Sequence, residues 1–382
     1  MPKTYKEKKV EVKTLAKATY PKTVAYPKED SKDYFEEYTK WEESQKVSKE
    51  NINDFLKTTM STMITSDKEN QIYSPLNLYI GYSLLAEITG GNSRNQILNA
   101  LGIDSVETLR KKVNDLWQAN YKDDGVTTSL LANSLWLNEN MDYNQQTVDV
   151  LKDQYYASSY QGTMGSPEYD KVLQDWMNEN TKNLLKESVS NDAKMSENTI
   201  LALVSTIYYK ANWQEQFVDT MTKKQTFHGA TKDVNVDFLN EFSSNDSYYE
   251  TDKFRAVSKE MQNGGKMWFI LPNEDSSVKE VVNGKEITNL LTSKIKEQEN
   301  VGVSLSVPKF DVQSNIGLKE SMNKLGIVDV FKNADLSAIT KEDGLLSAAQ
   351  HAARVKINEE GCEGAAYTIF MVEKGMAMPQ KK

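Results

Sequence analysis

From Cys362 onward, every second residue is small or apolar: Cys362, Gly364, Ala366, Thr368, Phe370 and Val372, with no charge among them. The residues between them carry the acids and the one phenol: Glu363, Ala365, Tyr367, Ile369, Met371 and Glu373. Side chains alternate faces along a β-strand. The stretch is therefore suited to lie in a sheet with one face buried and the other turned to solvent or to a covering helix, and Tyr367 falls on the outward set. On pattern alone, an ordinary amphipathic strand in a permanent sheet is the simpler account.

The rest of the chain supplies both element types. Residues 1–30 are polar and lysine-rich, with Pro21 and Pro27, so 1–47 reads as a flexible tail or tether that includes a short helix over Asp33–Lys46. Globular patterning begins near Ser48. A helix carrying Ile52, Phe55, Leu56, Met60 and Met63 comes first. Next are a short strand Ile72–Ser74 and, from Pro75, a helix carrying Leu78, Leu84, Leu85 and Ile88. A further helix ends at Gly102, and Tyr169–Asn183 reads as another. Leu130–Leu137, Thr199–Tyr209, Phe238-Leu239, Met267–Leu271 and Val303–Phe310 read as strands. Ile316–Leu325 reads as helix, and Leu346–Ile357 is apolar with few breakers. Helices come early and strands late, which favours a single α+β domain over 48–382 rather than a doubly wound parallel sheet. There is no internal repeat.

Composition narrows the chemistry. A net charge of −9 argues against nucleic acid as a partner. No apolar run is long enough for a transmembrane segment. The single cysteine, Cys362, forms no intrachain disulfide, and the two histidines, His228 and His351, are too few for a multi-histidine metal site. Neither histidine sits in a nucleophile setting, and no phosphate loop, dinucleotide fingerprint or HExxH occurs. No metal and no cofactor is expected, and the chain reads as a non-enzyme.

Six phrases, in order from about Ser48 to Met378, resemble those of serpins, in a bacterial-type version. They are Asn70–Leu76; Gly90–Ile97; Ala132-Asn133-Ser134-Leu135-Trp136-Leu137; Leu203–Phe217, with its Tyr208-Tyr209-Lys210-Ala211-Asn212-Trp213; Val307-Pro308-Lys309-Phe310; and Ile357–Ala366, which is similar to the hinge of a reactive loop. Gly364 stands where alanine is usual, and Tyr367 where a small residue is common.

The resemblance implies three β-sheets, a large mobile central sheet and about eight to nine helices. It implies an irreversible suicide inhibitor of serine, or cysteine, proteases. The protease cuts an exposed bait loop at about 359–379, forms an acyl-enzyme, and is disabled when the loop inserts as a new strand of the central sheet. The implied hinge is Glu359, Glu360, Gly361, Cys362, Glu363, Gly364, Ala365 and Ala366. The implied sheet-opening region is Ser74, Asn133, Trp213, Lys309 and His351, with His351 near Ser74 and Asn133. Family spacing puts the cut bond at Gly375–Met376, within a window from Lys374 to Ala377. Met376 and Ala377 suit elastase-like or subtilisin-like targets, whereas Lys374 would suit a trypsin-like one.

Serpins continue for a few dozen residues past the loop, whereas this chain ends at Lys382. A C-terminal fragment of the same protein is therefore an expected partner, on an otherwise monomeric molecule. Met1 is followed by a lysine-rich start without a signal's apolar stretch. A secreted or surface-tethered location is still expected from the resemblance. A non-inhibitory serpin that acts as a binding or chaperone-like protein is the alternative.

Overall fold

The computed structural model describes residues 12–46, 50–243, 247–262, 264–292 and 301–375. After the short strand β1 (Lys13–Ala16) come α1 (Tyr34–Gln45), α2 (Asn53–Met63), α3 (Pro75–Ile88), α4 (Gly91–Leu101) and α5 (Val106–Asn120). Strands β2 (Lys122–Asp123) and β3 (Thr127–Asn138) precede α6 (Gln145–Tyr155) and β4 (Ala157–Gly162). Helices α7 (Pro167–Asn180) and α8 (Lys186–Asp192) lead into β5 (Thr199–Asn212). The remainder is mainly strand: β6 (Lys223–His228), β7 (Asp233–Ser243), β8 (Tyr248–Glu250), β9 (Phe254–Glu260) and β10 (Lys266–Pro272). Then follow α9 (Val278–Val282), α10 (Lys285–Leu291), β11 (Val303–Pro308), β12 (Asp311–Gly317), α11 (Lys319–Lys324), β13 (Gly344–Ile357) and β14 (Gly361–Lys374).

Three sheets result. The largest has eight strands in the order β1–β4–β3–β5–β14–β13–β12, with β2 beside β3. Among the described residues, only the β3–β4 pair is parallel. Two three-stranded sheets, β10–β9–β8 and β11–β7–β6, complete the set. Strands β5 and β14 are apolar on both sides because both faces of the large sheet are covered. Residues of α2 to α6 form the main core on one face, with Phe370 and Val372 of β14 among them. On the other face, α7 and α8 close over a second cluster containing Ala365, Tyr367, Ile369 and Met371. The two-sided burial follows from helices packing on each face of a central sheet.

Four expectations need correction. Eleven α-helices occur among the described residues rather than eight to nine. The excess comes from α8 to α11, whose five to seven residues are too few for a 3.6-residue period to declare itself. The described part of the supposed tether is built into the fold. Strand β1 pairs with β4, Tyr20 stacks on Trp117 at 5.6 Å, and buried Trp41 of α1 donates its indole N–H to Asp124 Oδ2 at 2.9 Å. Lysine-rich composition disguised these aromatic anchors; residues 1–11 lie outside the described residues. Ile72–Ser74 is no strand: the Ser314 hydroxyl accepts from Ile72 N–H at 2.9 Å and donates to its carbonyl at 2.7 Å, replacing a ladder. Ile316 and Gly317 finish β12 rather than starting a helix.

Candidate functional site

Strand β14 runs between β5 and β13 along its whole length, antiparallel to both. It begins at a tight turn in which Asn358 Oδ1 accepts from Glu360 N–H and Gly361 N–H at 3.1 and 3.0 Å. Gly361 allows β14 to start so close to β5, because a Cβ there would lie 2.2 Å from the Ala211 carbonyl oxygen. Cys362 and Ala366 are buried, Glu363 and Gly364 half-buried, and Ala365 buried beneath the α7–α8 layer.

The loop after β5 clamps the turn. Trp213 is fully buried; its backbone N–H donates to Glu360 O, and its indole N–H to Asn358 O, both at 2.9 Å. Phe217 N–H donates to Glu359 O at 3.0 Å. Lys309 donates to Glu359 Oε2 at 2.7 Å and Thr222 to its Oε1 at 2.9 Å. The Lys309 ammonium holds the Glu359 carboxyl below the usual range. Glu363 reaches both neighbouring strands: Lys356 of β13 at 2.6 Å and the Tyr208 hydroxyl of β5 at 2.7 Å. Burial alone would push this carboxyl up, but Lys356, Tyr208 and Lys210 together bring it below the ordinary range. Burial pushes the Cys362 thiol up to about 11.

Midway along β14, a directional hydrogen-bond chain crosses the strand. Ser74 N–H donates to His351 Nε2 at 3.0 Å, so Nδ1 carries the ring proton. His351 Nδ1 lies 2.9 Å from Thr368 Oγ1, which donates to Asn77 Oδ1 at 2.8 Å. Asn77 Nδ2 then donates to Ser205 Oγ at 3.0 Å. His351 is fully enclosed, and burial pushes its pKa down to about 3. Gly81 of α3 makes room for this crossing, since a Cβ there would come within 2.9 Å of Thr368 Cγ2.

The geometry thus brings Ser74 and His351 together. Asn133 is apart: its amide donates to Tyr155 O at 2.7 Å, and its Oδ1 has no hydrogen-bond partner among the described residues. Sequence reading missed Asn77, Thr368, Ser205 and Thr222. Asn77 stands three residues after Ser74, and Thr368 carries the only hydroxyl in the buried set of β14, signals that could have marked them. Tyr367 takes the helix-covered alternative of its outward face. It faces the layer of α7 and α8 as the alternation requires, yet it is fully buried there.

At the far end, Lys374 closes β14 and sits 3.5 Å from Glu342, and Gly375 N–H donates to Asp343 O at 3.1 Å. Met376 and Ala377 lie outside the described residues. Strands β10 and β11 each pair with one neighbour among the described residues, and a largely apolar groove of about 660 Å³ between them is lined by Val257, Phe269, Leu271, Val303 and Leu305. No helix of the described residues is long and apolar enough to cross a membrane.

The family model described as Serpin (serine protease inhibitor) matches residues 49–382. An uncharacterized serpin-like protein of Methanosarcina mazei is 23% identical over 325 residues, which cover 83% of this chain and 75% of that protein. Alpha-1-antiproteinase of Rattus norvegicus is 25% identical over 326 residues, covering 83% and 78%. Among solved structures, the thermophilic serpin tengpin in the latent state aligns with TM-score 0.76 at 22% identity, over 84% of this chain and 87% of that one. Cleaved kallistatin complexed with heparin aligns with TM-score 0.74 at 22% identity, over 84% and 97%.

Proposed function

The chain belongs to the serpin family, and we propose that it is an irreversible inhibitor of serine proteases whose bait loop becomes β14 once cut. The observation that carries this reading is the position of β14. A strand of 14 residues lies between β5 and β13 with both faces covered, and it ends at Lys374, where the cleavage window begins.

The protease hydroxyl attacks the carbonyl carbon of the bait bond, Gly375–Met376 by the family spacing. The C–N bond breaks, the amine leaves with a proton supplied by the protease, and an ester joins protease to loop. Hydrolysis of that ester would release active enzyme. Insertion competes with it. At about 3.3 Å per residue, zipping β14 from the Gly361 hinge carries the attached protease about 45 Å along the sheet, pulling its catalytic groups out of register. The uncut form is then metastable and held kinetically. Small residues at Cys362, Gly364, Ala365 and Ala366 let insertion start without steric cost.

Met376 and Ala377 favour elastase-like or subtilisin-like targets, and Lys374 leaves a trypsin-like target open. The groove between β10 and β11 suits the further strands, on a C-terminal fragment, that the family resemblance implies. An extracellular or surface-tethered site of action belongs to the same proposal. The test is a panel of such proteases run on denaturing gels. Covalent complexes in near-equal stoichiometry support inhibition. Loop cleavage that never yields a complex favours the non-inhibitory alternative.

A further inference from the structure

Tyr367 is the first bulky side chain on the face of β14 that meets α7 and α8. Ahead of it on that face stand only Glu363, half-buried at the sheet's end, and Ala365. Its partners in register, Thr206 of β5 and Ala352 of β13, are small. The ring is fully enclosed in the cluster with Leu173 and Met177 of α7 and Val189 of α8. Its hydroxyl donates to Asp192 Oδ2 at 2.6 Å, and the same oxygen accepts from Asn315 Nδ2 of β12 at 2.7 Å. Asp192 is the last residue of α8, so β14, α8 and β12 meet at one carboxylate. Arg354 of β13 also donates to Leu184 O, just before α8, at 3.0 Å.

A close-packed cluster has no vacancy for a phenol. A strand that zips from Gly361 therefore moves freely until Tyr367 arrives, when the α7–α8 layer has to lift. Once Tyr367 is seated, its bond to Asp192 draws the end of α8 back onto the sheet. We infer that Tyr367 sets the rate of insertion by forcing open the α7–α8 layer, and that Asp192 then latches the finished strand. This rests on the loop-insertion reading. Because insertion races ester hydrolysis, the bulk of one side chain fixes how many inhibitor molecules are consumed per protease trapped.

Three variants separate gate from latch: Tyr367→Ala, Tyr367→Phe and Asp192→Ala. Insertion after loop cleavage is followed by stopped-flow fluorescence of Trp136 and Trp176, which pack in the same cluster. In parallel, the inhibitor consumed per protease and the heat resistance of the cut form are measured. Tyr367→Ala should insert about tenfold faster, equivalent to ~1.4 kcal/mol off the barrier, and should lower the number of molecules consumed. Its finished form should be less heat-resistant. Tyr367→Phe should insert at the wild-type rate, yet lose heat resistance, and Asp192→Ala, which also loses the Asn315 bond, should lose at least as much. A wild-type rate for Tyr367→Ala overturns the gate, and undiminished heat resistance in Tyr367→Phe overturns the latch. If cleavage gives the wild-type protein neither a fluorescence change nor added heat resistance, the insertion reading itself falls and takes the gate with it.

Discussion

His351 Nδ1 and Thr368 Oγ1 lie 2.9 Å apart, joining the strand proposed to insert to the strand that receives it. Thr368→Val keeps the shape and removes the oxygen, leaving a ring N–H and the Asn77 carbonyl oxygen buried without this partner. Each of these two orphaned buried groups costs about 1–3 kcal/mol, so the loop-inserted form should lose about 2–6 kcal/mol. The uncut form, with the loop outside, should be unchanged. Urea unfolding of both forms checks this; equal losses would show that the chain is not specific to insertion.

The same histidine makes the inserted form acid-sensitive. Its pKa is pushed down to about 3 by burial, below the ordinary value near 6.5. The unfolded chain therefore takes up the proton first. The stabilising contribution is complete above about pH 6.5 and is lost as pH falls from there towards 3, by up to about 1.4 kcal/mol per pH unit. Glu359 and Glu363, both held below the usual carboxylate range, act in the same direction at lower pH. Their contribution is present above about 4.3 and is lost as the pH falls through their depressed values. Urea midpoints should decline between about pH 6.5 and 4, and His351→Gln should flatten the upper part of that decline.

Arginine at Ala366 puts an unpaired charge on a buried face, which costs several kcal/mol. Ala366→Arg, like Cys362→Arg, should turn the protein from inhibitor into substrate: cut in the loop, but releasing active protease. The alternation pattern alone predicts little harm from arginine at the outward Glu363. The structure reverses this, because Glu363 pairs with Lys356 and lies near Lys210. Glu363→Arg should reduce covalent complex well below Glu363→Gln on gels, though less than Ala366→Arg.

The N-terminal segment offers a test independent of the loop. A chain beginning at residue 47 would leave the β4 edge unpaired and strip Tyr20 from Trp117. Its thermal midpoint should fall, and exposed edge pairing should appear as dimers or larger species in size-exclusion chromatography. Trp41→Phe, which loses the indole bond to Asp124 and part of a buried ring packed on Tyr26 and Tyr38, should cost about 1–3 kcal/mol.

Much of this was legible in the chain itself. The two-residue period from Cys362 to Glu373 announced β14, whereas Trp213 and Lys309 were expected only in a sheet-opening region and in fact hold the turn that starts β14. The period says which face a residue takes, but not what covers that face. Hence Tyr367 was assigned its side correctly while its complete enclosure was not foreseen. Glu363 looked solvated because its cation, Lys356, lies seven positions earlier across a turn, where charge patterning gives no cue. The Ser74–His351–Thr368–Asn77–Ser205 chain draws on α3, β5, β13 and β14 and their margins, and no local spacing encodes such a convergence. Helices α5 and α6 each bury one stripe of residues at helical spacing, a period the sequence carries openly.

Cys362, the chain's sole cysteine, is the second residue of β14, sealed against Met261 with its sulfur 4.0 Å from the methionine's. With the strand seated, the thiol is both hidden and hard to ionise. With the loop outside, the same atom would meet solvent as an ordinary thiol. On the insertion reading, the molecule would carry its own chemical ledger: one thiol-directed reagent, one site, and a count of labelled chains equal to the population whose loop is still outside.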